Sequence, residues 1–524
     1  MSSFDDNYAS VLRDSILKIE NLTRKYNGVV KENSRLKKRN EFLEENATEM
    51  AQKAADQAAN AVKNEMQKVI DEKDKIIAEL RSQLNNNSSN SGIPTSKTPI
   101  SQKKKVPNTR KKTGRKKGGQ MGHSKECLKK FNDDEIDYHI FHDDHPEVCD
   151  KCGGQLVFDS EECKDEYRVK VNVEKVRHHY MKYKCTRCGK TFKTYIPNSL
   201  KEENQYGSSV QAVALILTNE GYVSVNRTQK IIYALTNGEV DLSEGYISKL
   251  QKRLANKLYD FGDELKHFII ACHLIHWDDT VITVGGNNAI MRVYCSDEAT
   301  LYYAHMKKNL ESIKDDGILI SLNESTIVVH DHLKLNYNDA FDFINSECGI
   351  HLIRRLTKMK EITDHEWPQA MISLMLAVKN AKDTHSSYDL IDVYDDYDEI
   401  LELGYSVNKH DLRNPMKEKE KTMLNDLRAY KEAYLLFARF DEVPFTNNAA
   451  ENQIRRIKIR EKVSGQFTNL KNAENHALIL SYIMTGKKNG YNPNQIIIDA
   501  IEGHSVSLKE MLEHGSELRK EGRL

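Results

Sequence analysis

The chain has 524 residues, 30% of them charged, and its 78 Lys and Arg balance 78 Asp and Glu. That length allows several domains and at least one sizeable core, while the zero net charge points to no class of partner. No apolar run reaches the roughly 18 residues of a membrane span, and the start MSSFDDNYAS lacks a signal pattern, so no membrane partner and a cytoplasmic location are expected.

Residues 1–85 read as coiled coil. Leu12, Ile19, Tyr26, Asn33 and Asn40 share one heptad position, and Leu22, Val29, Leu36 and Leu43 share the other. The pattern weakens from Ala47 to Ala61 and resumes at Met66, Ile70, Ile77, Leu80 and Leu84. Asn at core positions fixes register and favours two strands, so a homo-oligomer, at least a dimer, is expected; an amphipathic helix packed on its own protein is the alternative. Asn85 to Gly92 ends the helix.

A basic arm, residues 86–130, follows. From Lys97 to Lys130, thirteen Lys and Arg stand against one acid, Glu126, and Pro94, Pro99 and Pro107 oppose regular structure. Lys103, Lys104, Lys105, Arg110, Lys111, Lys112, Arg115, Lys116 and Lys117 are the candidate contacts to a nucleic-acid backbone. A solvated linker has the same composition. The arm closes on Gly118-Gly-Gln-Met-Gly-His123.

Residues 131–200 read as a small β module with strands in YHIFH, EYRVKVNVEKV and HHYMKYKC. It carries Cys149-x-x-Cys152-Gly and Cys185-x-x-Cys188-Gly. Two thiolates per knuckle, with a glycine behind each for the tight turn, supply the Cys₄ set of a closed structural Zn²⁺ site. A redox pair is the competing reading. Cys127, Cys163, Cys272, Cys295 and Cys348 stand outside any such spacing.

Residues 201–265 read as helical, with Val210–Leu217, Asn226–Leu235 and Ser243–Leu258 as successive helices. This pattern fits a helix-turn-helix-like unit and equally a helical packing with no DNA role. Strand-rich sequence opens near Phe268 with FIIACHLIHW and continues through TVITVGG, AIMRVYC, TLYYAHM and STIVVHD. The last run is continuously apolar, which suits a strand buried on both faces. After Asn338 the chain turns helical to about Tyr434, and the tail from Asn472 is helical again. Residues 266–490 thus predict an α/β domain with a helical insertion at about 360–440, and 491–524 a helical C-terminal element.

Three acids stand in settings suited to two-metal phosphoryl transfer, which needs oxygen ligands brought together from separate parts of a fold. Asp278 follows HLIHW, Asp331 ends the run STIVVH, and Glu451 opens a helix backed by Arg455, Arg456, Lys458 and Arg460. Two acids at strand ends plus one on a later helix is the ribonuclease-H-like pattern. Asp279 rivals Asp278 for the first ligand position; adjacent strand residues face opposite ways, so one of them aims at the metals.

These motifs together resemble transposases of the insertion sequence 66 family, over nearly the whole chain. Asn87-Ser-Ser-Asn-Ser91 with Gly114-Arg-Lys-Lys-Gly-Gly-Gln-Met-Gly-His123 is similar to that family's N-terminal signature, and the double CxxC to its zinc-finger domain. Asp278-Asp-Thr280 matches its Asp-Glu-Thr motif with Asp at the middle position, and Asp331-His-Leu333 stands where the family has Asp-Gly-Tyr. Cys348, His351, Arg354 and Arg355 align with Cys-x-x-His-x-x-Arg-Arg. Asn447-Asn-Ala-Ala-Glu451 with Arg455 is the closest match, although Thr446 replaces an Asp and Asn452 an Arg. Arg460-Glu-Lys462 followed by Gly465 corresponds to its Arg-Lys stretch.

The resemblance implies a multidomain α+β protein with a ribonuclease-H-like catalytic core, whose Asp278, Asp331 and Glu451 hold two Mg²⁺ or Mn²⁺ ions, and one structural Zn²⁺ on the four cysteines. His351, Arg354, Asn448 and Arg455 become the supporting set, with His351 and Arg354 orienting the scissile phosphate or Asp331. The activity implied is cleavage and strand transfer at the ends of a bacterial insertion sequence. Double-stranded DNA, accessory proteins of the same element and a nucleoid-associated location follow. The alternative is a catalytically inactive, zinc-containing DNA-binding protein derived from such an enzyme.

Overall fold

The computed structural model describes residues 5–84, 130–142, 147–169, 171–197, 200 and 203–524. The basic arm up to residue 129, with its nine candidate DNA contacts Lys103–Lys105, Arg110–Lys112 and Arg115–Lys117, lies outside the described residues. By packing, the chain divides into two units. One comprises Met1–Asn86, Lys358–Glu366 and Leu403–Leu424, and the other, Asn87–Thr357, Trp367–Glu402 and Asn425–Leu524, holds the sheet.

In the first unit, α1 (Asp5–Leu84) is one continuous helix of 80 residues. Its sequence contains no proline and a single glycine, Gly28, so nothing interrupts the hydrogen-bond ladder. At 1.5 Å per residue it is about 120 Å long. Its heptad residues are bare, with Ile19 62% and Leu22 66% exposed. A helix this long gains little from propensity alone and depends on covering such a stripe.

In the second unit, residues 130–197 carry far less strand than their alternation predicts. The hairpin of β1 (Lys182–Lys184) and β2 (Thr191–Lys193) and the Val148–Gln155 bridge are the ladders among the described residues of this segment. YHIFH and most of EYRVKVNVEKV are not strands, and Phe141, Phe158 and Val169 are more than three-quarters exposed. The alternation has no facing layer to bury against, so it cannot be cashed as sheet.

Four helices follow: α2 (Ser208–Asn219), α3 (Val225–Leu235), α4 (Glu244–Lys257) and α5 (Tyr259–Ala271). Ser224 and Ser243 cap α3 and α4 by accepting from the amides of Arg227 and Tyr246. The strand expected near Phe268 is helix instead: Phe268 to Ala271 close α5, and the first long strand begins at Leu274.

The sheet comprises β3 (Leu274–Val284), β4 (Asn287–Cys295), β5 (Thr300–His305), β6 (Ile327–His330) and β7 (Ile344–Glu347), with α6 (Leu310–Asp316) between β5 and β6. Strand order is β5-β4-β3-β6-β7; the first three form an antiparallel meander, and β6 and β7 run parallel to β3. The unbroken run Ile327 to Val329 is buried, as expected of a strand flanked on both sides. The sequence reading placed no strand at β7, which is four residues long and lacks a continuous apolar run.

From β7 to the next functional helix the chain is helical: α7 (Gly349–Thr363), α8 (Trp367–Asp383), α9 (Leu390–His410), α10 (Lys417–Ala429) and α11 (Lys431–Arg439). Then come α12 (Asn448–Ser464), α13 (Leu470–Lys488), α14 (Pro493–Glu502) and α15 (Leu508–Lys520). One hydrophobic core runs from α2–α5 through the sheet to α12–α15. At the free edge of the sheet, Ser481 and Thr485 of α13 accept from the amides of Tyr302 and Thr300 on β5. Those two buried hydroxyls satisfy backbone groups that an open edge would leave available for pairing with another chain. No described helix is long and apolar enough to cross a membrane.

Candidate active site

The sheet register brings two of the predicted acids side by side. The parallel pairing of β3 with β6 ends at His276 and Val329, so Asp278 and Asp331 lie two residues beyond it on neighbouring chains. Asp331 follows the last residue of β6, as predicted, whereas Asp278 sits inside β3, which continues to Val284 with β4 as partner. Alternation separates the two rivals. Asp279 forms an ion pair with Lys308 at 2.7 Å, and Asp278 lies close enough to Asp331 to feel its charge.

Glu451 arrives from the first turn of α12, where the helix N-terminus favours a carboxylate. Its position is set by Asn447, which is fully buried. The Asn447 amide group donates to the Trp277 carbonyl at 2.9 Å, its oxygen faces His276 Nδ1 at 3.0 Å, and its backbone N–H points at Cys348 Sγ at 3.3 Å. One side chain therefore ties α12 to β3 beside Asp278, and the residue's amide ties it to the loop ahead of α7. Gly349 permits that approach, since a Cβ there would stand 2.3 Å from the Phe445 ring.

His351, on the first turn of α7, completes the cluster. Its Nδ1 is 2.7 Å from Asp331 Oδ1 and 3.7 Å from Glu451 Oε1. Ligand atoms of Asp331, Cys348, His351 and Glu451 all lie within 4.8 Å of one another, the one such group among the described residues. Asp331 Oδ1 is buried and is not aligned for a hydrogen bond, even with the nearby imidazole. Burial pushes Asp278 up, Asp331 adds to the effect, and the carboxyl reaches about 7. Burial pulls His351 down, but contacts with Asp331 and Cys348 outweigh it and lift the ring to about 10. A divalent cation would relieve the crowding that raises Asp278, and the oxygens of Asp278, Asp331 and Glu451 suit a hard ion, whereas the Cys348 thiol and the His351 imidazole of the same cluster suit a softer one.

The supporting residues divide. Arg354 Nη1 is 3.2 Å from His351 Nε2, and Arg455 reaches Glu451 at 3.4 Å. Asn448 is exposed, and the buried bracing belongs to its neighbour Asn447. The basic face expected behind Glu451 is also partial. Arg455 and Lys458 are exposed, whereas Arg456 bonds Tyr222 and Arg460 lies 3.3 Å over the Phe467 ring, its pKa drawn down to about 10 by burial. Behind Asp331, His332 and Tyr337 both contact the buried Glu347, and Arg355 joins Tyr434 to Asp426. Nothing in the sequence marks Glu347, because β7 itself was not legible.

The two cysteine knuckles have matching backbones. Gly153 and Gly189 donate to the carbonyls of Cys149 and Cys185 and hold φ of +71° and +75°, a conformation that favours glycine. Amides of the following residues point at the Cys149 and Cys185 sulfurs and lower both thiol pKa values. Thiolates so stabilised fit Zn²⁺. The four sulfurs are not gathered into one ligand group among the described residues.

A model of the Transposase IS66 family matches residues 203–475, more than half of the chain. No curated protein matches it. The match spans the sheet and all the carboxylates above, and it carries with it a transposase-related function, DNA as partner and a divalent-metal requirement. The chain belongs to the Transposase IS66 family.

Proposed function

We propose that this protein cuts and joins DNA at the ends of an insertion sequence through Asp278, Asp331 and Glu451. The observation that carries the reading is the convergence of Asp331, Glu451 and His351, with Asp278 beside Asp331, at one end of a mixed sheet ordered β5-β4-β3-β6-β7. That strand order, a meander followed by two parallel strands, supports a ribonuclease-H-like core interrupted by the helices α7–α11. The three carboxylates would hold two Mg²⁺ or Mn²⁺ ions, which supply charge neutralisation and activation at the scissile phosphodiester. His351 holds Asp331 in place from one side, and Asn447 holds α12, and with it Glu451, against β3. The strand is hydrolysed to a free 3′-hydroxyl, which then attacks target DNA in line, with no covalent protein intermediate.

The test is cleavage of labelled element-end DNA, with mapping of the new ends. Free 3′-hydroxyls at the element boundary are expected; a covalent protein–DNA adduct would overturn the reading.

Metal binding should depend on pH with a definite sign. Asp278 must lose its proton to bind a cation, and its carboxyl is raised to about 7. Apparent Mg²⁺ affinity, measured by titration calorimetry, should therefore strengthen roughly tenfold between pH 6 and pH 8. The α1 stripe supports dimerisation through a two-stranded coil, so deleting residues 5–84 should lower the sedimentation mass by at least half. The knuckles support one structural Zn²⁺, so Cys185→Ser should remove about one zinc per chain by atomic emission.

A further inference from the structure

We infer that α4 is the element that reads the DNA sequence of the element ends, lying in the major groove with Ser248, Lys249, Lys252, Arg253 and Asn256 towards the bases and flanking phosphates. The inference rests on the transposase reading above and assigns a surface that the catalytic site leaves unexplained. α4 is sharply two-faced. Ile247, Leu250, Leu254 and Ala255 are buried at 2% exposure or less. Gly245, Ser248, Lys249, Lys252, Arg253 and Asn256 are all exposed and recur every three or four residues, so they form one continuous stripe.

The charge of this stripe is one-sided. Between Gly245 and Lys257 the helix contains no acid. Of the acids at its approach, Glu239 pairs with Lys175, while Asp241 and Glu244, the latter the first residue of α4, accept from the neutral amides of Gln229 and Asn226 at the helix's N-terminal end. α3, which packs on α4, contains no acid either and exposes Arg227 and Lys230. The loop between the two helices, 236–243, is longer than the tight turn of a helix-turn-helix, yet Ser243 caps α4 firmly at its base.

Small side chains occupy the N-terminal end of the stripe, and long donors follow. A helix seats in the groove, about 12 Å wide, where Arg and Asn make two-pronged contacts to guanine and adenine edges and Lys holds phosphates. A purely structural helix needs none of this. Its buried face is already complete, and although Arg253 sits 6.0 Å over the Tyr246 ring, Lys249, Lys252 and Arg253 share a stripe with no acid from Gly245 to Lys257, a crowding of like charge that phosphates would relieve.

The experiment uses the full chain, a labelled duplex of the element's terminal sequence and a scrambled duplex of equal length, compared by fluorescence anisotropy at fixed salt. Arg253→Ala and Asn256→Ala should each lower the preference for the terminal duplex roughly tenfold while leaving affinity for the scrambled duplex within about twofold. Arg253→Lys keeps the charge but not the fork, so it should lose the preference as well. Both positions are exposed, and unchanged thermal melting checks the fold. Preference retained in all three variants, or equal losses on both duplexes, would overturn the assignment. Metal-dependent cleavage by the wild type in the same preparation decides the transposase reading separately.

Discussion

Asp331→Asn should reduce metal-dependent cleavage of element-end DNA by roughly 10³-fold or more, a loss of several kcal/mol of transition-state stabilisation. Asp331 stands where three elements meet: it leaves β6, touches His351 of α7 and raises Asp278 of β3. The substitution removes a negative charge but keeps the shape, so the fold has no reason to fail. Removing Asp331's charge lowers the Asp278 carboxyl, and the apo protein should melt no earlier than the wild type. Binding of end DNA should change by less than about twofold, because the expected DNA contacts lie on other elements. A parallel loss of binding and cleavage would show that Asp331 supports the fold and not the reaction.

The second large effect is expected at Asn447. Asn447→Ala strands the Trp277 carbonyl and His276 Nδ1 in a buried site, each costing about 1–3 kcal/mol. A fall of about 2–5 kcal/mol in stability follows, visible as an earlier chemical-denaturation midpoint. The catalytic consequence is larger than the stability loss implies, because Glu451 is carried on the helix that Asn447 anchors. Displacement of a ligand by about 1 Å is enough to cost roughly 10²-fold in rate. Asn448→Ala is the matched control, since Asn448 is exposed and should shift stability by no more than about 0.5 kcal/mol. Similar losses from the two neighbours would contradict the assignment of bracing to Asn447 alone.

That pair shows how far the sequence could be read. The Asn-Asn-Ala-Ala-Glu motif marks the start of α12 and its carboxylate, but adjacency alone does not say which Asn turns inward. The answer depends on β3 lying underneath, a contact between residues about 170 positions apart. The helices α2, α3 and α4 and the tail helices were legible from periodicity, and β6 from its unbroken apolar run. β7 was not, because Ile-Asn-Ser-Glu has neither alternation nor an apolar run, and its role as an edge strand comes from β6 alone. In residues 130–197 the error went the other way. Alternation there predicts sheet, but two metal-type knuckles without a hydrophobic layer form a single short hairpin among the described residues. Within the site, residue types and setting pointed to Asp278, Asp331 and Glu451, and the family resemblance alone pointed to His351. Cys348 matched a motif by position, yet its place beside the carboxylates emerged only from the fold.

The most direct test of the central claim is strand transfer by purified protein on labelled element-end DNA with Mg²⁺ or Mn²⁺, beside Glu451→Gln. Cleaved and joined products from the wild type, absent without metal and absent in the variant, are the expected result. Products of equal yield from Glu451→Gln, or none from a wild type that still binds the end DNA and its metal, would contradict it.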